Sequence, residues 1–255
     1  MTTSKDRKPA AWLLAMGKDD LPDALQISDA TYRLIRTFKH DFFAATGLYA
    51  DKTGSRKVVL KVGRVAPALI PLSWIGRFLA KREARLLLAT QHLDGVPDFL
   101  GMWQKTGIIH EFIEGHPLKK DAELPDDFFP RLEQLIAEMH ALGIAYVDLE
   151  KRENVLVGDD GKPWLFDFQI AWDRNRSPIS RWLRRVLQQS DIYHLGKHWK
   201  RLRPDQLDDA KLAELTKPPF WIAWHRRLIR PLILIRRRVL VWLGARDTAK
   251  GRSPG

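Results

Sequence analysis

Apolar and polar positions change period along this chain, and the changes mark its organisation. Three β-like runs come first, Thr31 to Phe38, Phe42 to Tyr49 and Lys57 to Val62. The last two are separated by Asp51-Lys-Thr-Gly-Ser, so the set predicts an antiparallel meander. From residue 72 to 90 the period becomes helical, with Trp74, Ile75, Phe78, Leu79, Leu86 and Leu87 on one face and Arg77, Lys81, Arg82 and Arg85 among the polar positions. Phe99 to Trp103 and Gly107 to Phe112 are again strand-like. After a break at Glu114-Gly-His-Pro-Leu, the spacing of Leu132, Leu135, Ile136 and Met139 predicts a helix over 126–142. Val155 to Val157 and Trp164 to Phe168 flank Gly158-Asp-Asp-Gly-Lys-Pro, a hairpin signature. Two helices, near 179–188 and 191–202, are expected next. These patterns divide the chain into a leader of mixed character over 1–30, a sheet-rich lobe over 31–113, a helical lobe over 114–205 and an apolar-basic segment over 206–255.

Composition narrows what such an α+β chain can be. Its 255 residues suffice for one large domain or two lobes sharing a cleft. There is no cysteine, which excludes thiolate metal sites, disulfide frameworks and cysteine nucleophiles. The net charge of +12 is unevenly spread: residues 1–173 hold 23 Lys+Arg against 25 Asp+Glu, residues 174–255 hold 20 against 6. A basic excess confined to the last third points to an anionic surface such as phospholipid or glycolipid, and a solvated basic tail is the plainer alternative. On a helical wheel Arg226, Arg227 and Arg230 oppose Phe220, Trp221, Ile222, Trp224, Leu228 and Ile229, and residues 181–187 divide in the same way. No nucleic-acid motif accompanies the charge, so nucleic acid is not the expected partner. No secretory signal is visible at the N-terminus, and the apolar stretch from Phe220 to Leu243 is interrupted by His225 and six arginines. The expected location is cytoplasmic, peripheral on the inner face of the cytoplasmic membrane.

Candidate chemistry sits at the ends of the β-like runs and in the turns after helices. Lys61 lies inside Val58-Val-Leu-Lys-Val, where a lone lysine is costly without an anion, and Glu83 on the next helix can supply one. Asp148 follows the 126–142 helix in Ala145-Tyr-Val-Asp-Leu, Asn154 comes six residues later, and Asp167 closes Trp164-Leu-Phe-Asp. Singly, each fits an ordinary role as snorkelling lysine, solvated charge or turn residue. In this order they are a cation, an acceptor-orienting carboxylate and two oxygen ligands, the set that phosphoryl transfer from ATP with Mg²⁺ requires.

In that order the chain resembles the protein-kinase-like superfamily over about residues 31–203, most closely its bacterial lipopolysaccharide-kinase and RIO-like serine/threonine kinase branch. The resemblance implies a bilobal fold with a small antiparallel-sheet N-lobe and a reduced helical C-lobe. It makes Lys61 the phosphate-binding lysine with Glu83 as its partner, and Glu111, Phe112 and Ile113 the hinge backbone that holds adenine. Asp148 becomes the catalytic aspartate, Asn154 and Asp167 the Mg²⁺ ligands, and Asp191 the brace of the catalytic loop. It implies a kinase that uses ATP and Mg²⁺ on a hydroxyl of a membrane glycolipid or sugar. The alternatives are a RIO-like protein kinase acting on Ser/Thr and a nucleotide-binding pseudokinase or membrane scaffold. Departures from the pattern are the six-residue Asp-to-Asn spacing, Tyr146-Val147 in place of His-Arg, Gln169 in place of Gly after Asp-Phe, no Ala-Pro-Glu motif, and one glycine in the Phe38-to-Gly47 loop. Without that arginine, control by activation-loop phosphorylation is not expected.

Overall fold

The computed structural model of the protein describes residues 14–65, 73–174 and 176–216. The chain divides into two compact units, which among the described residues are 14–65, 73–81 and 100–112 in the first, and 82–99, 113–174 and 176–216 in the second.

The first unit is built on a six-stranded antiparallel sheet. Its strands are β1 (Ala24–Ile27), β2 (Ala30–His40), β3 (Ala44–Ala50), β4 (Lys57–Gly63), β5 (Phe99–Trp103) and β6 (Gly107–Glu111), in the order β1-β2-β3-β4-β6-β5. β3 and β4 are buried along almost their whole length, as expected of central strands covered on both faces. Strand alternation sends Val58, Leu60 and Val62 into a core with Tyr32, Ala45, Tyr49 and Ile109. Val59 and Lys61 therefore occupy the opposite face of β4, with Lys61 in register with Thr46 on β3 and Ile108 on β6.

Residues 14–30, read from sequence as a leader, instead complete this unit. Met16, Leu21 and Leu25 belong to the same core, and Ala24–Ile27 pairs with Ala30–Arg33 as the edge strand. Leu21-Pro-Asp does mark a turn, but the four-residue strand after it is too short for its alternation to stand out in sequence.

The second unit contains the latter part of α1 (Ser73–Thr90), then β7 (Gly115–Pro117), α2 (Phe128–Ala141), β8 (Val155–Gly158), β9 (Pro163–Leu165), α3 (Pro178–Leu202) and α4 (Asp209–Thr216). Phe128, Phe129, Leu132, Leu135, Ile136 and Met139 make the buried face of α2, and the Phe129 ring stacks on Trp199 of α3 at 5.4 Å. β7, β8 and β9 form a small antiparallel sheet, closed between β8 and β9 by the expected hairpin with Gly161 at φ 78°. At Gly196 a Cβ would lie 2.5 Å from Leu215, so glycine allows α3 and α4 to approach this closely.

Two expectations are corrected here. The helices expected at 179–188 and 191–202 are one 25-residue helix, because Gln188-Gln189-Ser190 contains no breaker and Asp191 does not cap a new helix. Asp167 is not strand: β9 ends at Leu165, and Asp167 adopts a left-handed backbone with φ 65°. Residues 217–255, which carry most of the expected amphipathic segment, and residues 1–13 lie outside the described residues. Among the described residues no helix is long and apolar enough to cross a membrane.

Candidate active site

Beyond α2 the chain turns at Gly143 (φ 77°), and Ala145 then forms an isolated antiparallel bridge with Trp172. Each residue donates its N–H to the other's carbonyl, at 2.8 and 2.7 Å. This bridge ties the segment carrying Asp148 to the segment carrying Asp167, all within the second unit.

Asp191, fully buried in the middle of α3, spends its carboxylate on this loop rather than on its own helix. Its Oδ2 accepts the Tyr146 N–H at 2.8 Å and its Oδ1 accepts the Val147 N–H at 2.7 Å. His140 Nε2, from the last turn of α2, lies 3.1 Å from the same Oδ2. Val147 sits at φ 75°, a region costing a β-branched residue on the order of 1–3 kcal/mol. The two hydrogen bonds from fixed neighbours hold it there, and the kink sets the direction of Asp148.

Asp148 is buried, and its Oδ2 accepts Nζ of Lys151 at 2.6 Å and Nδ2 of Asn154 at 2.8 Å. A carboxylate only accepts, so the second contact fixes the amide orientation of Asn154 and turns Oδ1, a hard oxygen donor, the other way. Leu149, the next residue, gives its carbonyl to Nε2–H of buried His198 on α3 at 2.7 Å. Burial pushes the His198 imidazole down to about 4, so near neutral pH it is a neutral donor.

Tyr146 connects the two carboxylate segments. Its hydroxyl donates to the carbonyl of Phe166, the residue before Asp167, and lies 3.4 Å from the carbonyl of Asn154. Its ring meets buried Phe168 edge-on at 5.4 Å. Burial raises its pKa well above the usual phenol value, and Asp167, Asp148, Asp191 and Glu83 push it the same way. Tyr146 is thus a neutral donor, and one of the carboxylates that act on it, Glu83 of α1, is itself almost fully buried.

The remaining sequence-derived candidates lie on the first unit, apart from Ile113, which begins the second unit's next stretch. Lys61 has the sheet register given above; Glu111 ends β6 opposite Val58, and the Phe112 N–H donates to the Lys57 carbonyl at 3.1 Å. The β2–β3 hairpin, where a glycine-rich loop was expected to be depleted, is closed by Asp41. Its Oδ1 accepts the N–H groups of Phe43 and Ala44 at 2.9 and 3.1 Å. Gly47 lies inside β3, where a Cβ would meet Leu21 at 2.7 Å, so its smallness serves packing.

Sequence reasoning gave no role to Lys151, His140 or His198. The lysine was visible in the Asp148-to-Asn154 spacing, whereas nothing in the chain's local pattern announces that His198 of α3 reaches the Leu149 carbonyl 49 residues away or that His140 of α2 meets Asp191.

The six-stranded sheet, the strand carrying a lysine, the helix carrying a buried glutamate and the Asp191-braced loop define a protein-kinase-like α+β fold. Solved structures similar to this chain are the Rio2 kinase from Chaetomium thermophilum and its complex described as Rio2 kinase-ADP/Mg²⁺-phosphoaspartate. Each has a TM-score of 0.52 and 16% identity, covering 72% of this chain and 61% of that chain. The likeness is one of fold, and the chain spans about three fifths of the length of those structures. No protein-family model matches the chain, and no curated protein matches it in sequence.

Proposed function

We propose that this protein is a kinase-type phosphotransferase that moves a phosphoryl group from ATP to a hydroxyl. The observation that carries the reading is the web around Asp148: a buried carboxylate bonded to Asn154 and Lys151, on a loop whose backbone is held by buried Asp191. In this reading Asp148 accepts the proton of the attacking hydroxyl and orients it. Lys151 sets a positive charge beside that carboxylate. Asn154 Oδ1 and the Asp167 carboxylate are the oxygen donors suited to Mg²⁺, which when bound offsets the charge of the phosphate oxygens. Lys61 is assigned to the α/β-phosphates with Glu83 as its carboxylate partner, and the backbone of Glu111, Phe112 and Ile113 to adenine. These assignments rest on the order of the residues in the chain and on the fold.

For the acceptor, the leading reading is a hydroxyl of a membrane glycolipid or sugar at an anionic membrane surface, supported by the arginine-rich last third. A RIO-like protein kinase is the second reading, favoured by the fold likeness to Rio2 kinase. The test is ADP release from Mg²⁺-ATP by the wild type and Asp148→Ala, with a bacterial membrane extract or a protein substrate mixture. Turnover that needs Asp148 and the extract supports the first reading, and turnover that needs Asp148 and protein supports the second. ATP binding without turnover under either condition rejects both in favour of a nucleotide-binding scaffold.

A further inference from the structure

The first turns of α3 expose two large apolar residues one helical turn apart, Ile179 at 76% and Trp182 at 55%. Arg174 and Arg176 just before the helix and Arg181 and Arg185 within it are all exposed, and residues 174–190 contain no Asp or Glu. Among the described residues none of these four arginines has a carboxylate within ion-pair distance. The helix gains nothing from this placement, because cations in its first turns oppose the positive end of the helix dipole. Yet the turn is firmly built: Ser177 and Ser180 cap each other reciprocally and Pro178 occupies the first helical position.

We infer that this face of α3, with Ile179 and Trp182 as anchors and Arg176, Arg181 and Arg185 as headgroup contacts, docks onto an anionic lipid bilayer. Charge alone would suit any polyanion. The apolar pair decides for lipid: an exposed Ile and Trp lose contact with water by entering the headgroup–acyl boundary, and Arg181 and Arg185, which flank Trp182 about 60–100° around the helix, are long enough to snorkel to phosphate. Acidic polypeptide or RNA would neutralise the arginines and leave Ile179 wet. The inference assigns a described element to the membrane partnership proposed above. It does not rest on catalysis, and its test reads binding without turnover, so the failure of either idea is visible separately.

The absence of cysteine makes a site-specific test direct. Ile179→Cys in the full chain is labelled with an environment-sensitive nitrobenzoxadiazole dye, as is Lys52→Cys, an exposed control in the β3–β4 turn. On vesicles containing phosphatidylglycerol the label at 179 should shift its emission to the blue, with no shift at 52 and none on pure phosphatidylcholine. Vesicle partitioning of the unlabelled chain should fall at least tenfold in Ile179→Ser/Trp182→Ser, and also in Arg181→Gln/Arg185→Gln. An unshifted label at 179 overturns the inference, whether the chain stays free or reaches vesicles through another segment. A label already shielded without vesicles overturns it in favour of residues 217–255 or a second copy covering the face. Equal shielding by polyglutamate or RNA overturns the lipid assignment.

Discussion

The loop of residues 145–154 and the β2–β3 hairpin both carry parts of the proposed chemistry, and they differ in how much of their shape comes from a ladder of their own. The loop has almost no regular structure of its own. Its shape comes from buried side chains on distant elements: Asp191 and His198 from α3, His140 from α2, and the bridge to Trp172. Those contacts stabilise a positive φ at Val147 that the sequence would not choose alone. The hairpin, by contrast, has its own ladder between β2 and β3 and a turn closed by its own Asp41, to which Ala15, Met16 and Arg64 add hydrogen bonds at Asp41, His40 and Phe42. A region without a ladder is sensitive to single buried partners, and a region with one tolerates the loss of a single contact better.

The largest effect that sharpens this contrast is on turnover. Asp148→Ala should lower ADP release by on the order of 10²–10⁴-fold while leaving ATP binding in place. A residual rate within tenfold of wild type, measured at saturating Mg²⁺-ATP, would remove Asp148 from the chemistry.

Next comes the brace. Asp191→Ala strands the buried N–H groups of Tyr146 and Val147 and removes the partner of His140. The expected cost is about 3 kcal/mol of stability in urea denaturation, accompanied by loss of turnover. A stable variant with wild-type kinetics would show that the loop holds its own shape and would erase the difference from the hairpin.

His198 gives the comparison a pH dependence. Its imidazole titrates near 6.5 when unfolded and at about 4 when folded, so below 6.5 the unfolded chain takes up a proton that the folded chain refuses. Stability is full above pH 6.5 and is lost as pH falls from there toward 4. Between pH 7 and pH 5 the loss attributable to this group is about 2 kcal/mol, and His198→Gln, measured against wild type at both pH values, should remove it. Identical pH slopes for the two proteins would place the sensitivity elsewhere.

The same contrast explains what could be read from the sequence. Lys61, Asp148, Asn154 and Asp167 stood out because each lies in or beside a short apolar run whose spacing is local. The antiparallel meander and the 126–142 helix were legible for the same reason. The rest depends on partners remote in sequence. Asp191 reads as a helix start until its carboxylate is seen bonded to Tyr146 and Val147, and then α3 runs through it unbroken. Tyr146 reads as a departure from the expected histidine, yet its hydroxyl reaches the Phe166 carbonyl twenty residues on. The edge strand at Ala24–Ile27 was hidden because its four residues are too few to show a period.

The smallest expected effect lies in the hairpin. In a loop with three glycines, free backbone N–H groups would be available to phosphate oxygens, whereas here the N–H groups of Phe43 and Ala44 are taken by Asp41. Nucleotide grip should then depend on Lys61 and the metal ligands, with little from this turn. Asp41→Ala releases both N–H groups into an exposed turn where water can replace the lost acceptor, at a cost of about 1 kcal/mol or less. Its KM for ATP should change by less than threefold, while Lys61→Met raises KM at least tenfold. A tenfold rise in KM for Asp41→Ala would mean that the shape of the turn itself grips the nucleotide, and the hairpin would then belong with the loop as a region whose function rests on a single side chain.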